Sequence, residues 1–450
     1  MYKNEKDSSI ARLLSRSTKV ILVGMGRLNV NISPLTILFA EIFFLAIIGG
    51  TLINVFYPEG MGYIYYDKGY PFISYLSILY ASLVIGAISI GMGLRKRLLN
   101  YATTNCLTPS ASILSFCWYF TFFATIGSFI WVFVQAGMEH PIVSALRSKN
   151  VFEIATIRSD IAKTIDMRVY NLGLLLLLPL NLIISVLLLR KILLSVASVL
   201  LLFLLGTFTL AKAPLAYVLI FVLAFRMLYS TLHLRGAIKY LSITIFCLIL
   251  LFVSTGYARL NIQSVARNIG HRILYGQILD LPYYFEVFSE NKVGLKSLMP
   301  PYIVGDQKSV ARMVGEYSIK KRFLRKPLDN KEEEALYARV AGVANTLFVG
   351  EAFAWGGYPG VILSPFIVMA HLTFLIFLFS KVKKTWFTVY MFSFFLFKIF
   401  IGIFGGISYF IFSSMHIVLI AFLLLLISWR YLESKNIPVF NRIAEKLCIL

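Results

Sequence analysis

Apolar residues in this chain come in long runs separated by short polar or basic punctuation. A helix that crosses a bilayer needs about 20 mainly apolar residues. Runs of that kind fall at 35–57, 73–94, 111–136, 171–189, 192–210, 213–230, 241–256, 347–379, 385–403 and 409–429. Residues 171–230 are nearly continuous, and their two interruptions, Arg190-Lys191 and Lys212-Ala213-Pro214, read as tight turns. The run 347–379 is too long for one straight crossing, so its first turns are expected outside the hydrocarbon. In 137–170, Ile154, Ile157, Ile161 and Ile165 recur at helical spacing among charges. That is the pattern of amphipathic helices lying on a membrane surface. No internal repeat is visible, which weighs against transporters built from inverted halves.

Composition turns this pattern into a class. The chain is 59% hydrophobic and 14% charged, with a mean hydropathy of +0.80. Soluble domains are about 45–50% apolar and about 25% charged. The expectation is an all-α polytopic membrane protein of about ten transmembrane helices. It divides into an N-terminal segment at 1–34, a seven-helix membrane half at 35–256, a large and mostly helical outward loop at 257–346, a three-helix membrane part at 347–429 and a tail at 430–450. The first 34 residues are polar and basic, so the first apolar run is expected to act as the insertion signal.

Charge sets the orientation. With the N-terminus inside, the short cytoplasmic links and the adjoining Arg226 hold eleven basic residues: Arg95, Lys96, Arg97, Arg190, Lys191, Arg226, Arg235, Lys239, Lys381, Lys383 and Lys384. They hold no Asp or Glu, and the outward short loops at 58–72 and 404–408 hold only Lys68 as a base. Short basic loops stay inside, so both termini are expected in the cytoplasm. The net charge of +22 is spread between spans. It points to membrane orientation and anionic lipids and away from nucleic acid. Cys106, Cys117, Cys247 and Cys448 show no CxxC spacing, so neither a metal site nor a disulfide framework is indicated.

Chemistry gathers at the outward side. Lys212, in a short turn, reads either as a lysine snorkelling at the interface or as a cation gripping a lipid-linked phosphate. Lys398 lies about 21 Å along its span, in the outer half of the hydrocarbon, where a charge faces a cavity or a partner. Arg259, Arg267 and Arg272 follow the seventh span, and guanidinium forks bind phosphate bidentately. They read equally as a belt for lipid headgroups. His271 stands among them as a proton acceptor or a donor to phosphate.

The run Gly350-Glu351-Ala-Phe-Ala-Trp355-Gly356-Gly357-Tyr358-Pro359-Gly360 is the most informative. Glu351 is an isolated carboxylate where an apolar helix begins. Trp355 and Tyr358 supply either a sugar-stacking platform or an interfacial belt. The glycines and proline break the helix and let backbone approach closely. The alternative is a plain re-entrant turn. No DxD-like pair and no Walker A loop is present, so no metal and no nucleotide cofactor is expected.

This run, opening a long apolar helix after a large outward loop, resembles the Wzy-type polymerases of O-antigen and capsule repeat units. Trp355-Gly356 stands where Asn-Phe is more usual in that family. The Ala-Lys212-Ala-Pro turn and the arginines after the seventh span resemble family features less specifically. The resemblance implies a GT-C-like, metal-independent glycosyltransferase in the bacterial inner membrane, its large loop periplasmic. Its substrates would be undecaprenyl-pyrophosphate-linked oligosaccharides, with a chain-length regulator protein as partner. Lys212, Arg259, Arg267, Arg272 and Lys398 would hold pyrophosphate, Glu351 or His271 would be the base, and Trp355 and Tyr358 would orient sugars. The competing readings are an O-antigen ligase and a flippase or transporter for lipid-linked sugars.

Overall fold

The computed structural model describes residues 31–56, 60–61, 64–67, 69–147, 151–210, 213–233, 278–290, 292–294, 310–325, 347–408 and 418–426, with 236, 242 and 428. Among them the apolar runs fold as helices: α1 (Pro34–Phe56), α2 (Tyr70–Gly91), α4 (Ala111–Gln135), α7 (Met167–Leu189), α8 (Ile192–Gly206), α9 (Ala213–Tyr229), α12 (Leu347–Lys381) and α13 (Trp386–Gly405). Six of these, α1, α2, α4, α7, α12 and α13, are long and apolar enough to cross a membrane. Between them come α3 (Leu94–Thr103), α5 (Pro141–Arg147), α6 (Val151–Thr164), α10 (Leu281–Val287) and α11 (Val310–Arg325). Phe116, Phe120 and Phe123 on α4, Leu193 on α8 and Ile90 on α2 all face outward. Large apolar side chains bared along whole helices match a lipid solvent. The chain is a mainly helical, multi-pass membrane protein. Apart from residue 242, the expected span 241–256 lies outside the described residues, as does 409–417 of the last expected span, while 418–426 is helical.

Local chemistry explains the boundaries. Ser33 caps α1, accepting from the Thr36 amide at 3.2 Å, with Pro34 at the first helical position, where it needs no partner for a missing N–H. Thr385 and Thr388 form a reciprocal cap at the start of α13. Arg190 takes positive φ (54°) in the turn between α7 and α8, as the sequence led one to expect. In the middle of α7, fully buried Asn181 accepts from Thr121 (3.0 Å) and donates to Thr125 (3.2 Å) of α4, a polar contact that fixes helix register in lipid.

The amphipathic pattern of 137–170 yields α5 and α6. Their apolar face is turned onto the protein itself, with Ile154, Ile161 and Ile165 buried in the cluster that includes Leu205 and Phe208. The expected contact with a membrane surface is therefore made by these helices with their own neighbours.

The two ends of the bundle separate cleanly. At the basal end, Asn31–Ile32 pairs antiparallel with Leu232–His233. There buried Lys384 donates to the carbonyls of Tyr101 (2.9 Å), Ala102 (3.0 Å), Thr104 (2.9 Å) and Tyr229 (3.0 Å). These segments all belong to the links expected on one side. At the apical end, Tyr66 donates to the Leu279 carbonyl at 2.7 Å, joining the first outward loop to the large one. Tyr80 bonds the Ile362 carbonyl and Ser89 lies 3.9 Å from the Met369 sulfur. Helices α2 and α12 thus run in the same direction, as the alternation of spans requires.

An ion cluster pins the apical loops. Lys321 of α11 bridges Asp67 (3.0 Å) and Glu286 of α10, and Tyr317 donates to the same Glu286 oxygen. Burial, and then the nearby Asp67, raise the Glu286 carboxyl above its usual range, while Lys321 and Tyr317 oppose that. Burial likewise raises the Tyr317 phenol. The side chains of Lys321 and Glu286 are only 11% and 7% exposed. Removing one partner leaves a buried charge, so Lys321→Met is expected to destabilise by about 3–5 kcal/mol. Lys321→Met with Glu286→Gln is expected to recover most of that loss. Thermal midpoints of the purified variants check this, and equal midpoints for wild type and the single variant would contradict it.

Candidate active site at a broken helix

Helix α12 carries its own interruption. Gly357 has φ 60° and ψ −144°, a conformation that only glycine adopts without strain, and it divides α12 into arms 347–356 and 358–381. At its start, Leu347, Phe348 and Val349 share an apolar cavity with Ile42, Leu45, Ile78 and Ala81. Those four lie near the middle of α1 and α2. Further on, the Ile362 carbonyl meets Tyr80, also mid-helix on α2. Residues 347–349 and 362 are therefore at one level, and the chain between them rises toward the apical end and folds back. The first turns of α12 are thus enclosed among the neighbouring helices. Length alone could not reveal this, because a hairpin and an overhanging helix use the same number of apolar residues.

Close approach explains the other glycines. A methyl on Gly360 would lie 2.1 Å from the Ala352 carbonyl oxygen, so the two arms touch backbone to backbone. A methyl on Gly350 would lie 2.8 Å from Leu281 and 3.0 Å from Tyr284, so α10 packs directly on the first arm. Phe353 completes that seam against Phe285, ring centroids 4.4 Å apart.

Glu351 follows Gly350 and is 6% exposed. Its Oε2 accepts from the Ser408 amide at 2.7 Å and its Oε1 from the Ser408 hydroxyl at 3.0 Å. Ser408 follows the end of α13 at Gly405. The carboxylate therefore ties the re-entrant arm to the turn after α13. The Ile407 backbone also bonds the carboxylate. An ionised carboxylate has about four acceptor positions, so these bonds orient Glu351 and leave capacity for a proton.

Past the break, Tyr358 is 57% exposed, its ring edge-on to Phe353 at 5.3 Å. Trp355 is half-buried, and a methyl on Gly360 would lie 3.6 Å from its ring. The segment 292–294 closes the tip: the Val293 amide donates to the Ala354 carbonyl at 2.9 Å. Exposed Lys292 lays its ammonium where a side chain at Gly357 would be, 2.5 Å from that position. Sequence reading did not single out Lys292. Nothing local marks it, because its significance depends on Gly357, far along the chain.

The expected site residues Glu351, Trp355 and Tyr358 thus meet in one hairpin. Lys398 is on α13, about 10 Å of helical rise before Gly405, its ammonium 5.6 Å from the Phe394 ring centre. Lys398 forms no ion pair among the described residues. Lys212, Arg259, Arg267, His271 and Arg272 lie outside the described residues. Among the described residues no three His, Cys, Asp or Glu side chains gather as a metal-holding group.

No protein-family model, no curated protein and no solved structure matches this chain.

Proposed function

We propose that this protein is a GT-C-like membrane glycosyltransferase that polymerises undecaprenyl-pyrophosphate-linked oligosaccharide repeat units into O-antigen or capsular polysaccharide. It would work on the periplasmic face of the bacterial inner membrane, with a chain-length regulator protein as partner. The observation that carries the reading is the Gly-Glu-aromatic-Gly run folded as a re-entrant arm, with an oriented carboxylate, an exposed tyrosine and an exposed lysine at its tip. Re-entrant backbone at membrane depth is stable only when enclosed by protein or facing an aqueous cavity, and it presents polar groups where a lipid-linked substrate reacts.

In this reading a hydroxyl of the incoming unit attacks the anomeric carbon of the growing chain. The bond from that carbon to the pyrophosphate oxygen breaks, and lipid pyrophosphate leaves with the electron pair. Glu351, oriented by Ser408, or His271 takes the hydroxyl proton. Lys292, together with Lys212, Arg259, Arg267, Arg272 and Lys398, offsets the charge that develops on the leaving group. Trp355 and Tyr358 stack on sugars.

A strain lacking the protein is expected to make lipopolysaccharide or capsule capped by a single repeat unit, seen on a silver-stained gel. A normal ladder of chain lengths would contradict the proposal. Accumulation of long lipid-linked chains would point to a ligase instead.

A further inference from the structure

At the basal end, between α3 and the link joining α12 to α13, lies a cavity of about 530 Å³. Headgroup- and ligand-sized sites run to about 300–1,000 Å³. Arg97 and Lys383 line it, with Asn100, Thr104, Asn105 and Ser380 between them. No carboxylate lines it, and neither Arg97 nor Lys383 has a carboxylate partner among the described residues. Buried Lys384 adds a third positive charge to the wall, although its ammonium is committed to four backbone carbonyls. Burial lowers its pKa to about 8, which leaves it mainly charged at neutral pH.

A second feature adjoins this cavity. An apolar groove of about 400 Å³ runs between α2 and α12, lined by Ile88, Met92, Phe366, Met369, Phe374 and Phe377. Phe377 of the groove and Ser380 of the cavity are one helical turn apart on α12, so the two are continuous along its surface. A basic, polar pocket that opens onto an apolar groove in a membrane-spanning bundle has the chemistry of one ligand class. The phosphate meets guanidinium, ammonium and amide donors, and the acyl chain lies against phenyl rings and aliphatic side chains.

We propose that this cavity and groove bind an anionic phospholipid, its phosphate on Arg97 and Lys383 and one acyl chain between α2 and α12. The site is at the opposite end of the bundle from the broken helix and stands whatever reaction occurs there. A bound lipid would brace α3 against the α12–α13 link.

The test uses the full chain in nanodiscs of phosphatidylcholine alone or with phosphatidylglycerol, with thermal midpoint and retained lipid counted by native mass spectrometry. Phosphatidylglycerol is expected to raise the midpoint and to remain bound to the wild type. Arg97→Gln with Lys383→Gln is expected to weaken retention about tenfold or more. Lys96→Gln with Lys191→Gln removes equal charge at the same end and is expected to retain the lipid. Equal loss in both double variants would overturn the proposal, since the attraction would then be diffuse. So would no response to phosphatidylglycerol. A shift of the same size from inorganic phosphate in phosphatidylcholine discs would also overturn it, by showing that the groove contributes nothing.

Discussion

Gly360→Ala is expected to abolish chain elongation and to destabilise the protein by about 3 kcal/mol, the upper end for overpacking a filled interior. The added methyl would sit 2.1 Å from the Ala352 carbonyl oxygen, which belongs to helix backbone and cannot swing aside. The two arms of α12 must separate, and Glu351 on the first arm moves away from Ser408. Gly356→Ala provides the control within the same run. Nothing lies within 4 Å of its added methyl, and alanine favours helix over glycine by about 1 kcal/mol. That variant is expected to keep the native midpoint or to exceed it. Thermal unfolding of both proteins, with product ladders from complemented deletion strains, checks the pair. A native midpoint and a full ladder for Gly360→Ala would show that the arms do not meet.

Glu351 separates holding from chemistry. Glu351→Ala leaves the half-buried amide and hydroxyl of Ser408 without this acceptor, at a cost of about 1 kcal/mol. Glu351→Gln keeps a carbonyl oxygen for the Ser408 amide and is expected to unfold close to wild type. Both lose the ability to accept a proton, so elongation is expected to fall by about 10²–10⁴ in each. The glutamine variant is the informative one. Full activity with it would reduce Glu351 to a structural tie.

These two residues also show what the sequence made legible. The glycines at 356, 357 and 360 pointed to close backbone approach, because a residue without a side chain permits it. The approach is found at 357, at 360 and at Gly350, which the sequence pattern did not mark, while nothing lies within 4 Å of a methyl at Gly356. What each approaches was hidden, because Leu281, Tyr284 and Lys292 belong to a distant segment with no periodic signal. The spans were legible for a simple reason: about 20 apolar residues in a row have few other fates. The fold-back of α12 was not legible, since hydropathy counts residues and carries no direction. The apolar face of α6 was legible, but not its target, because a helix stripe packs equally well on lipid or on Leu205 and Phe208. Lys384 entered as one of several basic residues in a link, and its use as a four-carbonyl clamp depends on three segments meeting.

The proposed activity joins lipid-linked sugars at the broken helix. Purified protein in liposomes, supplied with purified undecaprenyl-pyrophosphate repeat unit and followed by product sizing, tests it most directly. The expected result is a ladder of lengthened chains with one lipid pyrophosphate released per bond, lost in Glu351→Gln. Substrate that crosses the bilayer or stays put, with no increase in length, would contradict it.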